Sequence, residues 1–418
     1  MAEPVFVESS GAVARLAADL AREKAIAVDT EADSFFHYFD KLCLVQIATP
    51  GAVYLVDPLK LPADALAPLR PIFADPAIRK VFHAAEYDLF VLGRHCGIRV
   101  AGLFDTMISA QLLGYTGVGL GALVERHFGI RISKDQQRTD WSRRPLKSAQ
   151  IEYAAADVLY LLELARLVEA ELTAAQRLDW AIEEFRALES RTWPEREFDE
   201  QGYLKIKGAN RLSPRELAVL RELYLMRDRR ARAADRPPFK ILGNGTLLEL
   251  AQNPSSSRRT LSKRKGITDL VLRRMGQDIA EAIERGTSGP EHPAPERRSN
   301  GSGRRRLDRR GDVRLEHLKR WRAVRARELG LDPGVFCPNA TLEAIAWADP
   351  SDPAELAALD AVKGWWARAF GAEVLALTAK ANQAAAAPEA APLAPGGLRK
   401  KPRRRRGGRR SAARRAKA

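Results

Sequence analysis

Ala25-Ile26-Ala27-Val28-Asp29-Thr30-Glu31 passes from an apolar run into two acids one residue apart. The run reads as a buried strand, and side chains alternate along a strand, so Asp29 and Glu31 face the same side. Two like charges on one face of a buried strand repel one another unless a cation lies between them. Outward from this strand, Leu42-Cys43-Leu44-Val45-Gln46-Ile47 and Val53-Tyr54-Leu55-Val56 read as two more, with a Pro50-Gly51 turn between them, and Lys80-Val81-Phe82 as a short fourth. Helical patterns then run from Asp88 to His95, Thr106 to Leu113, Leu120 to Phe128 and, as one long element, from Lys147 to about Ala174. Strands followed by mostly helices predict an α/β domain, a mixed sheet with flanking helices, over residues 1–195.

Two further acidic motifs lie in this region. His83-Ala84-Ala85-Glu86-Tyr87-Asp88 leaves the fourth strand and opens a helix, which sets Asp88 just past a strand end. Tyr153-Ala154-Ala155-Ala156-Asp157 lies inside a strong helix, where residues four apart share a face, so the phenol and the carboxylate point the same way over small alanines. Each motif alone has an ordinary account: a strand running into a polar loop, an acid at a helix N-terminus, a pair on an amphipathic surface. Their order and spacing together are far more specific.

In that order the motifs resemble the DEDD exonuclease superfamily, in the branch where a tyrosine precedes the last aspartate by four. Lys41-Leu42-Cys43-Leu44-Val45-Gln46-Ile47, Phe104-Asp105-Thr106, Gly119-Leu120-Gly121-Ala122-Leu123 and the spaced residues Lys134, Gln137, Asp140-Trp141 and Arg144-Pro145-Leu146 narrow the resemblance to the ribonuclease D family. It covers nearly all of residues 1–195 and implies a ribonuclease H-like fold and metal-dependent 3′→5′ exoribonuclease activity. It further implies that Asp29, Glu31, Asp88 and Asp157 bind two divalent ions, Mg²⁺ or Mn²⁺, Asp29 bridging them. Hard cations of this kind prefer oxygen ligands, and a pair of them can serve the attacking and leaving oxygens of an in-line displacement. Tyr153 would orient the attacking water or the phosphate, since a phenol with a pKa of about 10 is a poor base at neutral pH. Gln46, His83, Gln137, Trp141 and Arg144 are the expected nucleic-acid contacts of this domain. Trp141, Phe36 and Tyr87 are candidates to stack on terminal bases, with core packing the alternative for each.

From Ser213 the pattern is helical, opened by a capping box in Ser213-Pro214-Arg215-Glu216. With Asp235-Arg236-Pro237-Pro238-Phe239 and Leu247-Leu248-Glu249-Leu250-Ala251, residues 205–288 resemble an HRDC domain, a nucleic-acid-binding module. Residues 289–312 read as a flexible linker and 381–418 as a disordered Ala/Pro spacer with an Arg-rich tail, while 313–380, with Leu331-Asp332-Pro333-Gly334 and Pro338-Asn339-Ala340-Thr341-Leu342, read as helical and resemble a second, more divergent HRDC-like unit. For His83 a structural role is the alternative reading, and the Trp365-Trp366 pair reads as structural.

The formal charge of +16 is unevenly divided: −8 over residues 1–200, +10 over 201–288 and +12 over 398–418. An acidic block suits divalent metal, and basic blocks suit a phosphate backbone. Lys205, Lys207, Arg211, Arg227, Arg229, Arg230 and Arg232 are candidate backbone contacts, as are Arg403 and Arg404 in the tail, with a solvated face the alternative for each. Three scattered cysteines exclude a disulfide framework or a zinc site and fit a reducing cytoplasm. No apolar run reaches the roughly 18 residues needed to span a bilayer. The expectation is a cytoplasmic monomer that trims 3′ ends of structured RNA such as tRNA precursors, releasing nucleoside 5′-monophosphates. A DNA exonuclease and a silent RNA-binding scaffold are the alternatives.

Overall fold

A computed structural model of the chain describes residues 3–193, 198–292 and 307–386. Its six strands are β1 (Val5–Val7), β2 (Ala25–Ala32), β3 (Leu42–Ala48), β4 (Val53–Val56), β5 (Arg79–Phe82) and β6 (Leu103–Asp105), and they form one mixed sheet in the order β1-β4-β3-β2-β5-β6. β2 runs antiparallel to β3 and parallel to β5, which places it in the interior of the sheet. Its apolar half, Ile26-Ala27-Val28, is fully buried, and the chain turns acidic where the strand reaches its C-terminal end. β1 and β6, each three residues long, are additions to the four strands expected from sequence.

The helix expected from Lys147 to Ala174 is two helices, Ser148–Leu159 and Leu161–Ala174. No Gly or Pro marks the break at Tyr160. The first piece packs on β2, β3 and β4, the second on β2 and β5. The Tyr160 ring meets Phe128 at 5.6 Å, so the break is set by packing outside the helix itself.

The first helical domain has its own core, built around the Pro214–Ala233 and Asp269–Ser288 helices. Its capping box forms as expected: Ser213 N donates to Glu216 Oε2 at 2.7 Å, and Glu216 N donates to Ser213 Oγ at 3.3 Å. The two long helices meet so closely at Gly286 that a Cβ there would collide with the Val219 backbone.

Among the described residues the second helical unit has no separate core. Leu318, Phe336, Trp365, Trp366 and Phe370 belong to the same buried cluster as the sheet. The Leu178–Glu189 helix forms the joint. Trp180 stacks on Trp365 at 4.5 Å, Trp365 Nε1 donates to Glu184, and Arg177 donates to the carbonyls of both Leu112 and Leu329.

Candidate active site

β2 carries Asp29 and Glu31 on one face, and the register shifts directly after Glu31. The Ser148–Leu159 helix crosses above and brings Asp157 down to them. One carboxylate oxygen from each of Asp29, Glu31 and Asp157 lies within 4.8 Å of the other two. Among the described residues this is the one group of three or more His, Cys, Asp or Glu placed to hold a metal ion. Asp157 is buried and the other two are half-buried.

Such crowding is unfavourable without a counter-ion. Burial pushes the Asp29 carboxyl from 3.8 up to about 7. Burial and then the charge of Asp29 push Asp157 up to about 8. Burial, followed by Asp29, Asp157 and Asp88, pushes Glu31 up to about 10. The donor set is all oxygen and strongly anionic, which fits a hard divalent cation. Burial, then Asp157, Glu31 and Asp29, also pushes the Tyr153 phenol above its ordinary value, so it stays a proton donor.

These shifts make stability depend on pH. The raised pKa values mean that the folded, metal-free protein binds more protons than the unfolded chain between the ordinary carboxylate range and the raised values. Stability from this source is therefore full below about pH 4 and is lost as pH rises through 7 to 10. In EDTA, wild type should lose thermal stability relative to Glu31→Gln between pH 5 and pH 9, and Mg²⁺ should remove the difference. Parallel melting curves for the two proteins across that range would sink the idea.

Asp88 stands beside the trio rather than within it. It is buried, and Thr30 Oγ1 donates to its Oδ1 at 2.5 Å. Burial and Asp29 push its pKa well up. The Asp105-Thr106 element fixes the turn leading to it. Buried Asp105 accepts from the backbone N–H groups of Ala84, Ala85, Met107 and Ile108, pinning Ala84 in a left-handed conformation with φ +63°. Thr106 Oγ1 donates to the Phe82 carbonyl and meets His83 Nδ1 at 2.9 Å. His83 is thus a turn-holding residue, kept neutral because burial drops its pKa to about 4.

The expected RNA contacts need correction. Trp141 is 1% exposed and packs beneath Tyr153 with Cys43, Leu44 and Leu55, so it has no face free for a base. Arg144 grips Asp57 with two nitrogens at 2.6 and 2.8 Å and donates to the carbonyls of Cys43 and Trp141. Both residues seat the segment that leads into the Tyr153 and Asp157 helix: Trp141 is buried, and the half-buried Arg144 guanidinium is already engaged by Asp57 and by backbone carbonyls. Gln46 is fully buried. Arg227 is buried against the Leu242 carbonyl and Asn244. Arg230 pairs with Asp278. Phe36 lies under Lys240 at 3.9 Å. Gln137, Lys207 and Arg211 are exposed, as are Tyr87 and Lys205, the latter paired with Asp199. Arg403 and Arg404 lie outside the described residues.

A joint between the loop after Glu31 and the first helical domain has no signal in the sequence pattern. Asp235 accepts from the backbone N–H groups of Tyr38 and Phe39 and meets His37 Nδ1 at 2.8 Å, while Tyr38 Oη donates to Asp228. A second set not singled out from sequence is cationic. Arg258, Arg259, Lys263, Lys265, Arg273 and Arg274 lie on and between two consecutive helices, Arg258–Leu261 and Asp269–Ser288, and all six are exposed.

Comparisons with known proteins agree with this arrangement. The 3'-5' exonuclease family matches residues 4–173, and the HRDC domain family matches 216–283 and 312–378. Ribonuclease D of Acidiphilium cryptum is 36% identical over 300 residues, 70% of this chain and 75% of that protein. Ribonuclease D of Nitrobacter hamburgensis is 31% identical over 380 residues, 89% of this chain and 94% of that protein. The crystal structure of Escherichia coli RNase D, described as an exoribonuclease involved in structured RNA processing, aligns with a TM-score of 0.64 at 25% identity, over 90% of this chain and 99% of that one. The catalytic core of RRP6 from Trypanosoma brucei aligns with a TM-score of 0.61 at 29% identity, over 68% and 79%. With a mixed-sheet exonuclease domain followed by HRDC domains and an acid cluster at the end of β2, the chain belongs to the ribonuclease D family of 3′→5′ exoribonucleases.

Proposed function

We propose that Asp29, Glu31, Asp88, Tyr153 and Asp157 are the catalytic set, acting on the 3′ ends of structured RNA such as tRNA precursors and releasing nucleoside 5′-monophosphates. The observation that carries this is the convergence of Asp29, Glu31 and Asp157 within 4.8 Å on a surface otherwise built of buried sheet. Asp29, Glu31 and Asp157 would hold divalent metal, Mg²⁺ or Mn²⁺, with Asp88 at its side. When bound, two such ions supply charge neutralisation and an activated water. The protein's own part is orientation. Tyr153 keeps its proton and donates from Oη to the scissile phosphate or the attacking water. Thr30 holds Asp88, and the Trp141 and Arg144 packing holds the Tyr153 helix at a fixed height above β2. We place the catalytic domain at 1–195, the HRDC domain at 205–288 and the second HRDC-like unit at 313–380.

RNA capture falls to the HRDC domain, since residues 1–200 carry a net −8. The 258–274 cations are a stronger candidate surface than Arg227 or Arg230, whose guanidinium groups are already engaged. Arg273→Glu with Arg274→Glu should weaken RNA binding uniformly across sequences and flatten its salt dependence by about one unit of slope per lost phosphate contact. An unchanged slope in filter binding across a salt series would show that RNA takes another path. Among the described residues no helix is long and apolar enough to cross a membrane. The three cysteines are buried and unpaired, which suits the cytoplasm.

The direct test is digestion of 3′-labelled and 5′-labelled RNA and DNA with Mg²⁺. Mononucleotide release from the 3′ label and a shortening ladder from the 5′ label are expected on RNA. Faster loss of single-stranded DNA than of RNA would remove the substrate assignment.

A further inference from the structure

Gln46 is a buried polar group that the catalytic assignment leaves unused, and any role for it beside Asp29 rests on that assignment. It lies in the interior of β3, fully buried, and among the described residues neither its Oε1 nor its Nε2 has a hydrogen-bond partner. An unpaired carboxamide in a protein interior is destabilising, and an apolar side chain of the same length would avoid the penalty. A buried donor kept at such a cost points to a partner that it engages only in the working state.

The strand register says which partner. Gln46 pairs with Asp29 on one side and with Leu55 on the other. Directly paired residues project from the same face, with Cβ atoms about 5 Å apart. The face shared by β2, β3 and β4 therefore carries Ala27, Asp29, Glu31, Leu44, Gln46, Ala48, Val53 and Leu55. Its polar members apart from Gln46 are Asp29 and Glu31, and Gln46 is opposite the first. Above it lies the helix bearing Tyr153, Ala154 and Asp157, while Leu44 and Leu55 continue into the apolar cluster around Trp141. The carboxamide thus sits at the boundary between the acid cluster and a dry core.

We propose that Gln46 is a positioning residue for Asp29: its Nε2 donates to the Asp29 oxygen turned toward the sheet, holding the other oxygen in line for the cation. A neutral amide suits this task. Lysine or arginine at the same place would cancel the negative charge that draws the cation, and a carboxylate would add to a repulsion that is already severe. Gln46 touches neither RNA nor metal in this arrangement and acts through Asp29 alone.

The test uses the full chain carrying Gln46→Met, Gln46→Leu or Gln46→Asn, with Asp29→Asn as control. In EDTA the thermal midpoints of the two apolar variants should equal or exceed wild type. The rise in midpoint produced by Mg²⁺ should shrink, the Mg²⁺ concentration for half-maximal rate should increase, and kcat should fall about 10- to 100-fold, with KM for RNA little changed. Gln46→Asn, which keeps the amide but falls one methylene short, should lie between wild type and Gln46→Met. Wild-type kcat and a wild-type Mg²⁺ shift in either apolar variant would overturn the proposal, as would a loss of rate that tracks a fallen midpoint in EDTA. If Asp29→Asn itself kept wild-type turnover, the catalytic assignment would go. An inactive Asp29→Asn beside a fully active Gln46→Met would remove this proposal alone.

Discussion

Asp29→Asn should lower exonuclease turnover at least about a thousandfold, because the proposed cation-binding oxygen would be lost at the centre of the cluster and metal assistance is worth several kcal/mol, with about 1.36 kcal/mol for each tenfold in rate. The same substitution should not weaken the metal-free fold. Asp29 is held in an environment that pushes its pKa from 3.8 up to about 7, chiefly by burial. Above that pH its ionised form is a liability to the folded state, since the unfolded chain ionises it freely. An amide of the same shape carries no such charge, and it relieves both Glu31 and Asp157, whose pKa values Asp29 raises. The expected result is therefore a split: turnover collapses while the thermal midpoint in EDTA at alkaline pH holds or rises, and the Mg²⁺-induced rise in midpoint disappears. Single-turnover digestion of a 3′-tailed RNA, with parallel melting in EDTA and in Mg²⁺, measures all three. Turnover within tenfold of wild type would show that Asp29 is not a metal ligand. A collapsed midpoint would show that it holds the fold instead.

Whether a feature is legible in the sequence depends on whether it is local. The β2 pattern is local: apolar residues ending in Asp-x-Glu with a period of two place both acids on one face, and they do share it. The Tyr153 and Asp157 pair is equally local, as is the Ser213 capping box. Trp141 and Arg144 are different. A tryptophan and an arginine in a polar connecting segment resemble a base platform and a phosphate ligand, and nothing nearby in sequence says otherwise. Their partners, Cys43, Leu44 and Asp57, lie far away along the chain. The break at Tyr160, the three-residue strands β1 and β6 and the Asp235 joint have the same character, because each is decided by distant contacts. Gln46 is the sharpest case. Its family motif implies a nucleic-acid contact, which its full burial opposes, and nothing local in the sequence connects it to Asp29. Only the cross-strand register shows that it lies opposite Asp29.

Trp365→Ala should be the most damaging single change away from the acid cluster, because Trp365 joins two parts of the chain rather than filling one of them. It is 1% exposed and stacks on Trp180 at 4.5 Å with an interplanar angle of 18°. Its backbone N–H donates to Glu183 at 2.8 Å and its indole N–H to Glu184 at 2.7 Å. Truncation removes a large buried aromatic, leaves a cavity against Trp180 and deprives Glu184 of one of its donors, Lys363 remaining. Losses of about 3–5 kcal/mol are usual for Trp or Phe to Ala in a core. For a unit of this size that is on the order of 10 °C in thermal midpoint. The cores dictate which transition moves. Residues 203–283 form a cluster of their own, whereas the sheet and the 318–374 residues share one. Calorimetry should therefore show the joint transition falling while that of the HRDC domain stays in place. RNA digestion measured well below the lowered midpoint should stay near wild type, since Trp365 touches none of the residues proposed as catalytic. If the HRDC transition fell with the other, or if the joint transition moved hardly at all, the shared core would not be the unit that holds the second helical domain to the catalytic sheet.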